Sequence, residues 1–357
     1  MKLSTNQFLV SLLLAVLAFT DTQAANHCVV LQYHHFSEAT PRITSVTPKQ
    51  FDDHLDYLKK NDFQVLPLRE VVHKIQNAIE LPNKCISLTV DDAFLSVYTT
   101  AYPKVKALNW SMTVFVNSKA VDEKNRSYMS WEQMREMSQH GFSFENHSHS
   151  HQHLIRKVNS ESQQQWLQRI SKDILTAQKR INSELGRSPV FFAHPYGEYN
   201  NQTADLIRQM GLTGFGQQSG PIWKGANMQA LPRFPMAAQY AELNGFITKV
   251  NTLPLPLTSA PQADPELNQQ THQPSLTLTL EDKTQGTKNL QCFVNGNKDI
   301  NMTWINERQV VVTPNFKLPA GRSRTNCTMP SNQKGRFHWF SQTWIKRKDD
   351  GNWYHES

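Results

Sequence analysis

Two tight clusters in this chain hold groups able to bind a metal or move a proton. One is Asp91-Asp92, which closes the apolar run Cys85–Val90. The other is His147-Ser148-His149-Ser150-His151-Gln152-His153, where four of the protein's 14 histidines fall within seven residues. Each buried imidazole needs its own hydrogen-bond partners, so packing alone gives no reason to gather four. Metal binding gives one. His147 and His151 are four apart and reach one ion if the segment turns helically. With Asp92 they make a three-ligand set that leaves coordination positions open, as in a catalytic zinc centre. Adjacent carboxylates also divide in role, Asp92 as ligand and Asp91 as base toward water activated at the ion. On a regular strand the two would point to opposite faces, so the chain must leave strand geometry here if both serve one site. His149 and His153 alternate with the expected ligands and read as supporting or exposed residues.

The elements that must position these groups alternate in type. Apolar runs at Cys28–Tyr33, Cys85–Val90, Met112–Val116, Phe142–Phe144, Pro189–Ala193 and Thr213–Phe215 read as short strands. Helices fill the intervals. Thr47-Pro48-Lys49-Gln50 and Ser130-Trp131-Glu132-Gln133 are capping boxes, the first with proline at the opening helical position. Phe51, Leu55 and Leu58 then share one stripe. Trp166, Ile170, Ile174, Ala177, Ile181 and Leu185 keep helical spacing until Gly186, and a further helix spans about 203–210. Such alternation predicts an α/β fold with a parallel sheet. His34, Asp91, His147 and His194 each follow a strand at its carboxyl end, the rim where β/α barrels place their chemistry. A distorted barrel of about seven strands is expected.

Four segments are expected overall. Residues 1–25 read as a signal peptide: Lys2, the apolar run Phe8–Phe19, then small residues at Ala24 and Ala25. Residues 26–251 hold the barrel. Residues 252–274, with Pro254, Pro256, Pro261, Pro265 and Pro274 among polar residues, read as a linker. Residues 275–357 alternate with period two, as in Leu276, Leu278 and Leu280, and predict a small all-β domain. Its aromatics, Trp304, Phe337, Trp339, Phe340, Trp344, Trp353 and Tyr354, can fill a β core or, at Trp344 or Trp353, offer a face to a ligand.

No second run is long enough to span a membrane, so the mature protein is expected to be exported, periplasmic or secreted. Export places the four cysteines in an oxidising compartment. Cys28 and Cys85 lie at the same distance before His34 and Asp91, so neighbouring parallel strands set them side by side; Cys292 and Cys327 then pair. The net charge of +7 is uneven, with 12 Lys and Arg against 7 Asp and Glu in residues 275–357. That is too mild to argue for nucleic acid, and a solvated basic face is the default.

Thr89-Val90-Asp91-Asp92-Ala93, His147-Ser148-His149-Ser150-His151 and His194-Pro195-Tyr196-Gly197 resemble, in order and spacing, three motifs of the polysaccharide deacetylase (NodB-homology) family. The likeness spans roughly residues 28–250 and is greatest to the poly-β-1,6-N-acetylglucosamine deacetylases, whose barrel is circularly permuted. Tyr33-His34-His35-Phe36, Phe215-Gly216-Gln217-Gln218-Ser219-Gly220 and Leu231-Pro232-Arg233-Phe234-Pro235 resemble that branch. The resemblance implies that Asp92, His147 and His151 bind a divalent metal, zinc or else nickel, cobalt or iron. It implies that Asp91 is the base, that His34 rather than His35 protonates the departing amine, and that Arg233 orients Asp91. It gives the backbone N–H of Tyr196 a share of the oxyanion, worth about 3 kcal/mol. The implied partner is an acetylated glycan polymer, with poly-N-acetylglucosamine ahead of chitin oligomers, peptidoglycan or acetylated xylan; the β domain is then a candidate carbohydrate binder. A carbohydrate-binding protein of weak activity is the rival of another class. It draws on two departures from the family pattern: Ala93 where glycine is usual, and Ala193 where many relatives carry arginine.

Overall fold

The computed structural model describes residues 24–355, apart from Asn159, Lys283 and Gln285. The signal-peptide expectation falls almost wholly outside the described residues.

Seven strands build the barrel: β1 (His27–Tyr33), β2 (Cys85–Asp91), β3 (Thr113–Val116), β4 (Ser143–Asn146), β5 (Phe191–Ala193), β6 (Thr213–Phe215) and β7 (Phe234–Pro235). Their order is β6-β5-β4-β3-β2-β1-β7, and every pairing along it is parallel. Residues 231–235 draw the two edges together, because Leu231 bridges Phe215 and Phe234 pairs with Leu31. The sheet therefore curls into the distorted barrel that the alternation of elements predicts. β1 and β2 are buried along their whole length, as strands covered on both faces must be.

The longer helices around the sheet are α1 (Pro48–Lys60), α2 (Leu68–Gln76), α3 (Tyr102–Ala107), α4 (Trp131–Ser138), α5 (Gln163–Leu185), α6 (Asn201–Gln209) and α7 (Leu243–Val250). Both expected capping boxes form, at Thr47/Gln50 and Ser130/Gln133. A third, at Ser162/Gln165, opens α5, which stops where Gly186 takes φ 67°. Glycine accepts that left-handed value without the clash a Cβ brings. The α5 stripe of Trp166, Ile170, Ile174, Ala177 and Ile181 is buried, and each large member contributes roughly 1.5–3 kcal/mol by leaving water. Alternate strand residues divide between layers. Leu31, Leu88 and Val114 pack outward with α1, α3 and α4, whereas Phe115, Phe191, Phe215 and Leu231 cluster with one another and with α2.

The C-terminal unit is two facing sheets. Its strands are β8 (Leu253–Pro254), β9 (Leu276–Thr279), β10 (Gln291–Val294), β11 (Ile300–Trp304), β12 (Gln309–Pro314), β13 (Gly321–Pro330) and β14 (Phe337–Lys346). One sheet runs β8-β14-β13-β10 and the other β9-β12-β11. Leu276, Leu278, Val310 and Val312 from one sheet meet Cys292, Val294, Cys327 and Trp344 from the other. The proline-rich stretch 252–274 is laid along this unit. β8 pairs with β14, and Leu255, Leu257 and Leu267 enter the same core. Its leucines bury apolar surface, and Pro254 sits on the edge strand β8, where proline is tolerated.

Trp344 takes the core place rather than the ligand-facing one: it is buried and its Nε1 donates to Thr325 Oγ1 at 2.8 Å. Trp353 is covered too, with Arg347 at 4.3 Å and Arg156 at 5.1 Å from its ring centre. Both disulfides join the expected partners. Cys28–Cys85 ties β1 to β2, and Cys292–Cys327 ties directly opposed residues of β10 and β13. Among the described residues no helix is long and apolar enough to cross a membrane.

Candidate active site

The site sits at the carboxyl ends of β1, β2, β4 and β5. β2 ends at Asp91, and the next residue, Asp92, takes φ 57°. Aspartate tolerates this left-handed value better than most residues. The kink is the departure from strand geometry that two adjacent carboxylates need to address one site. It also accounts for Ala93: the positive φ falls on Asp92, so alanine at 93 is unstrained and packs fully buried.

The histidine tract turns twice. Ser148 and His151 have φ 65° and 54°. Asn146 Oδ1 accepts from the Ser148 N–H at 2.8 Å, and Ser148 Oγ accepts from the His151 N–H at 3.0 Å. These side-chain bonds replace a helical turn and bring the His147 and His151 rings to 4.8 Å between centres. One ligand atom each from Asp92, His147 and His151 lies within 4.8 Å of the others. His147 Nδ1 donates to the Ala193 carbonyl at 2.8 Å, which leaves Nε2 available to a cation. Burial lowers the His147 pKa to about 4 and keeps the ring neutral. Buried Asp92 Oδ1 has no hydrogen-bond partner among the described residues and lies 3.5 Å from His151 Nε2. An orphaned carboxylate oxygen beside two imidazoles is a donor set that fits a divalent cation.

His149 and His153 point elsewhere. His149 Nδ1 meets Ser118 Oγ at 2.9 Å. His153 Nδ1 meets Glu198 Oε2 at 2.7 Å, and its ring stacks on Tyr196 at 3.8 Å.

Asp91 is fully buried and gripped by Arg233, whose Nη1 and Nη2 donate to Oδ1 and Oδ2 at 2.6 and 2.7 Å. Gln32 Nε2 also donates to Oδ2. Burial alone would raise the Asp91 pKa. The charge and hydrogen bonds of Arg233, with His147 and His34 nearby, override it and hold the carboxyl well below the usual range. Arg233 is itself 0 % exposed and also donates through Nε to the Gly216 carbonyl at 3.0 Å. Arg233, just before β7, thus gives Asp91 a guanidinium although position 193 holds alanine. Burial lowers the His34 pKa, against the pull of Asp91 and Asp92. His35 turns away and stacks on Phe94 at 3.7 Å.

Tyr196 sits at φ 60° in the turn after β5, its ring centre 4.7 Å from that of His151. His194 is buried beneath the turn, with Nε2 on the Gln229 carbonyl at 2.8 Å. The seven expected site residues are thus gathered at one rim. Gln32 and Glu198 were missed. For Gln32 a signal was present, a lone glutamine inside an otherwise apolar strand. For Glu198 there was none, since its partners are distant in sequence.

The polysaccharide deacetylase family matches residues 78–215, a span that holds Asp91, Asp92, His147, His151 and Tyr196 but neither His34 nor Arg233. The Bacillus subtilis protein YxkH, provisionally named a polysaccharide deacetylase, is 27% identical over 60% of this chain and 74% of its own. A Staphylococcus aureus poly-β-1,6-N-acetyl-D-glucosamine N-deacetylase is 26% identical over 53% of this chain and 67% of its own. The barrel has the fold of the Streptococcus pyogenes deacetylase PplD, with TM-score 0.56, 22% identity, and coverage of 63% of this chain and 98% of that one. IcaB from Ammonifex degensii gives TM-score 0.55 at 24% identity, covering 62% and 96%. Residues 78–215 thus match the polysaccharide deacetylase family, and the similarity to a curated N-deacetylase supports a hydrolytic deacetylase.

Proposed function

We propose that the protein N-deacetylates a β-linked N-acetylglucosamine polymer with the help of a divalent metal. The observation that carries the reading is the pairing of Asp91 and Asp92. One carboxylate is held ionised by Arg233, and the other is turned by a left-handed kink toward His147 and His151. Asp92, His147 and His151 hold the cation. When bound, it supplies Lewis-acid chemistry: it acidifies water and stabilises developing negative charge. Zinc suits two imidazoles and a carboxylate, and nickel, cobalt and iron share the preference.

The chain's own residues do the rest. Asp91 takes a proton as water oxygen bonds to the acetamide carbonyl carbon, and Arg233 and Gln32 keep its oxygens aimed. The N–H of Tyr196 donates to the oxygen that becomes negative. His34 gives a proton to the nitrogen as the C–N bond breaks, so acetate and a free amine leave. Burial of Asp91 and Arg233 keeps competing water from their ion pair.

Resemblance to the poly-β-1,6-N-acetylglucosamine N-deacetylase favours that glycan over chitin oligomers, peptidoglycan or xylan. The product is cationic near neutral pH, which suits a biofilm or envelope polymer that must adhere to anionic surfaces. Two disulfides fit an exported protein, periplasmic or secreted. The test is acetate release from a panel of acetylated glycans, with and without chelator. Release is expected from β-1,6-linked oligomers, should stop with chelator, and should return with one of the four metals. Equal release with chelator present refutes the metal; release only from xylan refutes the amide substrate.

A further inference from the structure

The turn that carries Tyr196 is held from outside the barrel. Tyr196 is a non-glycine residue in a sparsely populated conformation, so its neighbours must enforce it. Arg322, on β13 of the C-terminal unit, donates through Nη1 to the Tyr196 carbonyl oxygen at 2.6 Å. Its guanidinium carbon also lies 5.9 Å from the Tyr196 ring centre. Two residues on, Glu198 is a 0 % exposed carboxylate, and a buried charge persists only if paired. Its partners come from two places. His153 and Arg156 belong to the loop after the histidine tract, and the Tyr354 hydroxyl comes from the end of the C-terminal unit. Arg156 locks the arrangement by donating to the Tyr354 carbonyl at 3.2 Å, with its guanidinium 4.8 Å from that ring centre.

We propose that the C-terminal β unit is a built-in part of the catalytic rim, with Arg322 and Tyr354 as positioning residues that hold the Tyr196 turn in its left-handed form. Arg322 fixes the peptide plane that follows Tyr196. Tyr354 fixes Glu198, which fixes His153, whose ring is stacked on Tyr196. This assigns the second domain a task other than holding polymer. The kinetic consequence rests on the reading of Tyr196 N–H as the oxyanion donor, whereas the structural consequence does not.

The experiment uses the full chain and four variants: Arg322→Ala, Arg322→Lys, Tyr354→Phe and, as a control at an exposed position of β9, Thr277→Ala. Hydrogen exchange over residues 194–199 is measured together with steady-state acetate release. Arg322→Ala and Tyr354→Phe are expected to speed exchange in that stretch about tenfold and leave the barrel strands unchanged. They are expected to lower kcat about 10–100-fold with KM within about twofold, because the donor is displaced rather than the substrate site. Arg322→Lys recovers part of both effects, and Thr277→Ala changes neither. Unchanged exchange at 194–199, or a loss of protection spread evenly through the barrel, overturns the proposal. Faster local exchange with kcat intact removes Tyr196 N–H from the reaction and keeps the positioning. If the wild type releases no acetate from any glycan, the functional reading fails and exchange alone decides the positioning.

Discussion

In the barrel, the buried polar side chains at the rim include charged groups: Asp91, Asp92, Glu198 and Arg233 are all at most 7 % exposed. In the β unit the buried polar side chains are nearly all neutral: Ser323, Thr325, Ser341, Gln342 and Thr343, with Lys346 the exception. Neutral hydroxyls and amides can be satisfied by one or two hydrogen bonds each. An ion taken from water costs several kcal/mol even when paired, so a fold has no structural motive to gather four. The contrast sets the barrel rim apart as the place with buried charge to use. It also separates the two cores, one shaped around a charged rim and one packed for itself.

The largest test removes one charge from the rim. Arg233→Ala leaves Asp91 buried and unpaired, which is expected to cost about 3–5 kcal/mol in denaturant unfolding. Acetate release should fall at least a hundredfold, because Asp91 loses both its ionised state and its aim. A Thr325→Val change in the β unit removes a buried neutral partner of Trp344 and should cost only about 1 kcal/mol. Equal losses from the two would erase the distinction between the cores.

The disulfides ask whether the two cores unfold together. Cys28–Cys85 closes 57 residues and Cys292–Cys327 closes 35. Chain entropy assigns each ~4 kcal/mol. Replacing either pair by alanine is therefore expected to lower stability by similar amounts. If Arg322 and Tyr354 couple the units, together with Arg336, which donates through Nη1 to Asn83 Oδ1 at 2.6 Å, both changes shift one transition seen by calorimetry. Two separated transitions, each moved by its own disulfide, would show that the contacts tie the rim without tying the cores.

A smaller effect follows from pH. His54 on α1 is 0 % exposed, bonded to the Ala241 carbonyl at 2.7 Å and the Tyr33 hydroxyl at 3.1 Å. Burial lowers its pKa to about 4, below the ordinary value of 6.5. Between those values the unfolded chain binds more protons, so stability rises with pH. The contribution is complete above about pH 6.5 and is lost as pH falls toward 4, on the order of 3 kcal/mol in all. Unfolding free energies of wild type and His54→Gln measured from pH 4 to 7 should differ in slope across that window. Parallel curves would deny the buried neutral imidazole.

Much of this was legible in the sequence. The barrel strands, the two capping boxes and the disulfide pairing follow from period, spacing and compartment. Asp91, Asp92, His147 and His151 are visible because their types cluster along the chain. Arg233 needed the family likeness, since nothing local ties residue 233 to residue 91. Tyr354–Glu198 and Arg322–Tyr196 were invisible, because contacts between units leave no local pattern. The stretch 252–274 misled because prolines and polar residues read as linker, while its leucines act one at a time on a neighbouring core. The turn at Ser148 and His151 was hidden as well. Helical spacing of the two histidines is met there by side-chain bonds, without a helix.

The smallest expected effect tests how the rim is shaped. Glycine is usual after the paired aspartates in this family, and alanine at 93 suggested strain or weakened catalysis. The left-handed residue is Asp92, and Ala93 instead donates a buried methyl and a carbonyl that accepts from the Met129 N–H at 2.7 Å. Ala93→Gly should therefore leave acetate release unchanged while lowering stability by about 1 kcal/mol, through a looser unfolded chain and a lost methyl. Asp92→Gly, at the true kink, would relieve its left-handed geometry yet abolish activity, because it deletes a ligand. A gain in turnover from Ala93→Gly would mean that backbone freedom at 93, and not the kink at 92, limits how the two carboxylates meet the substrate.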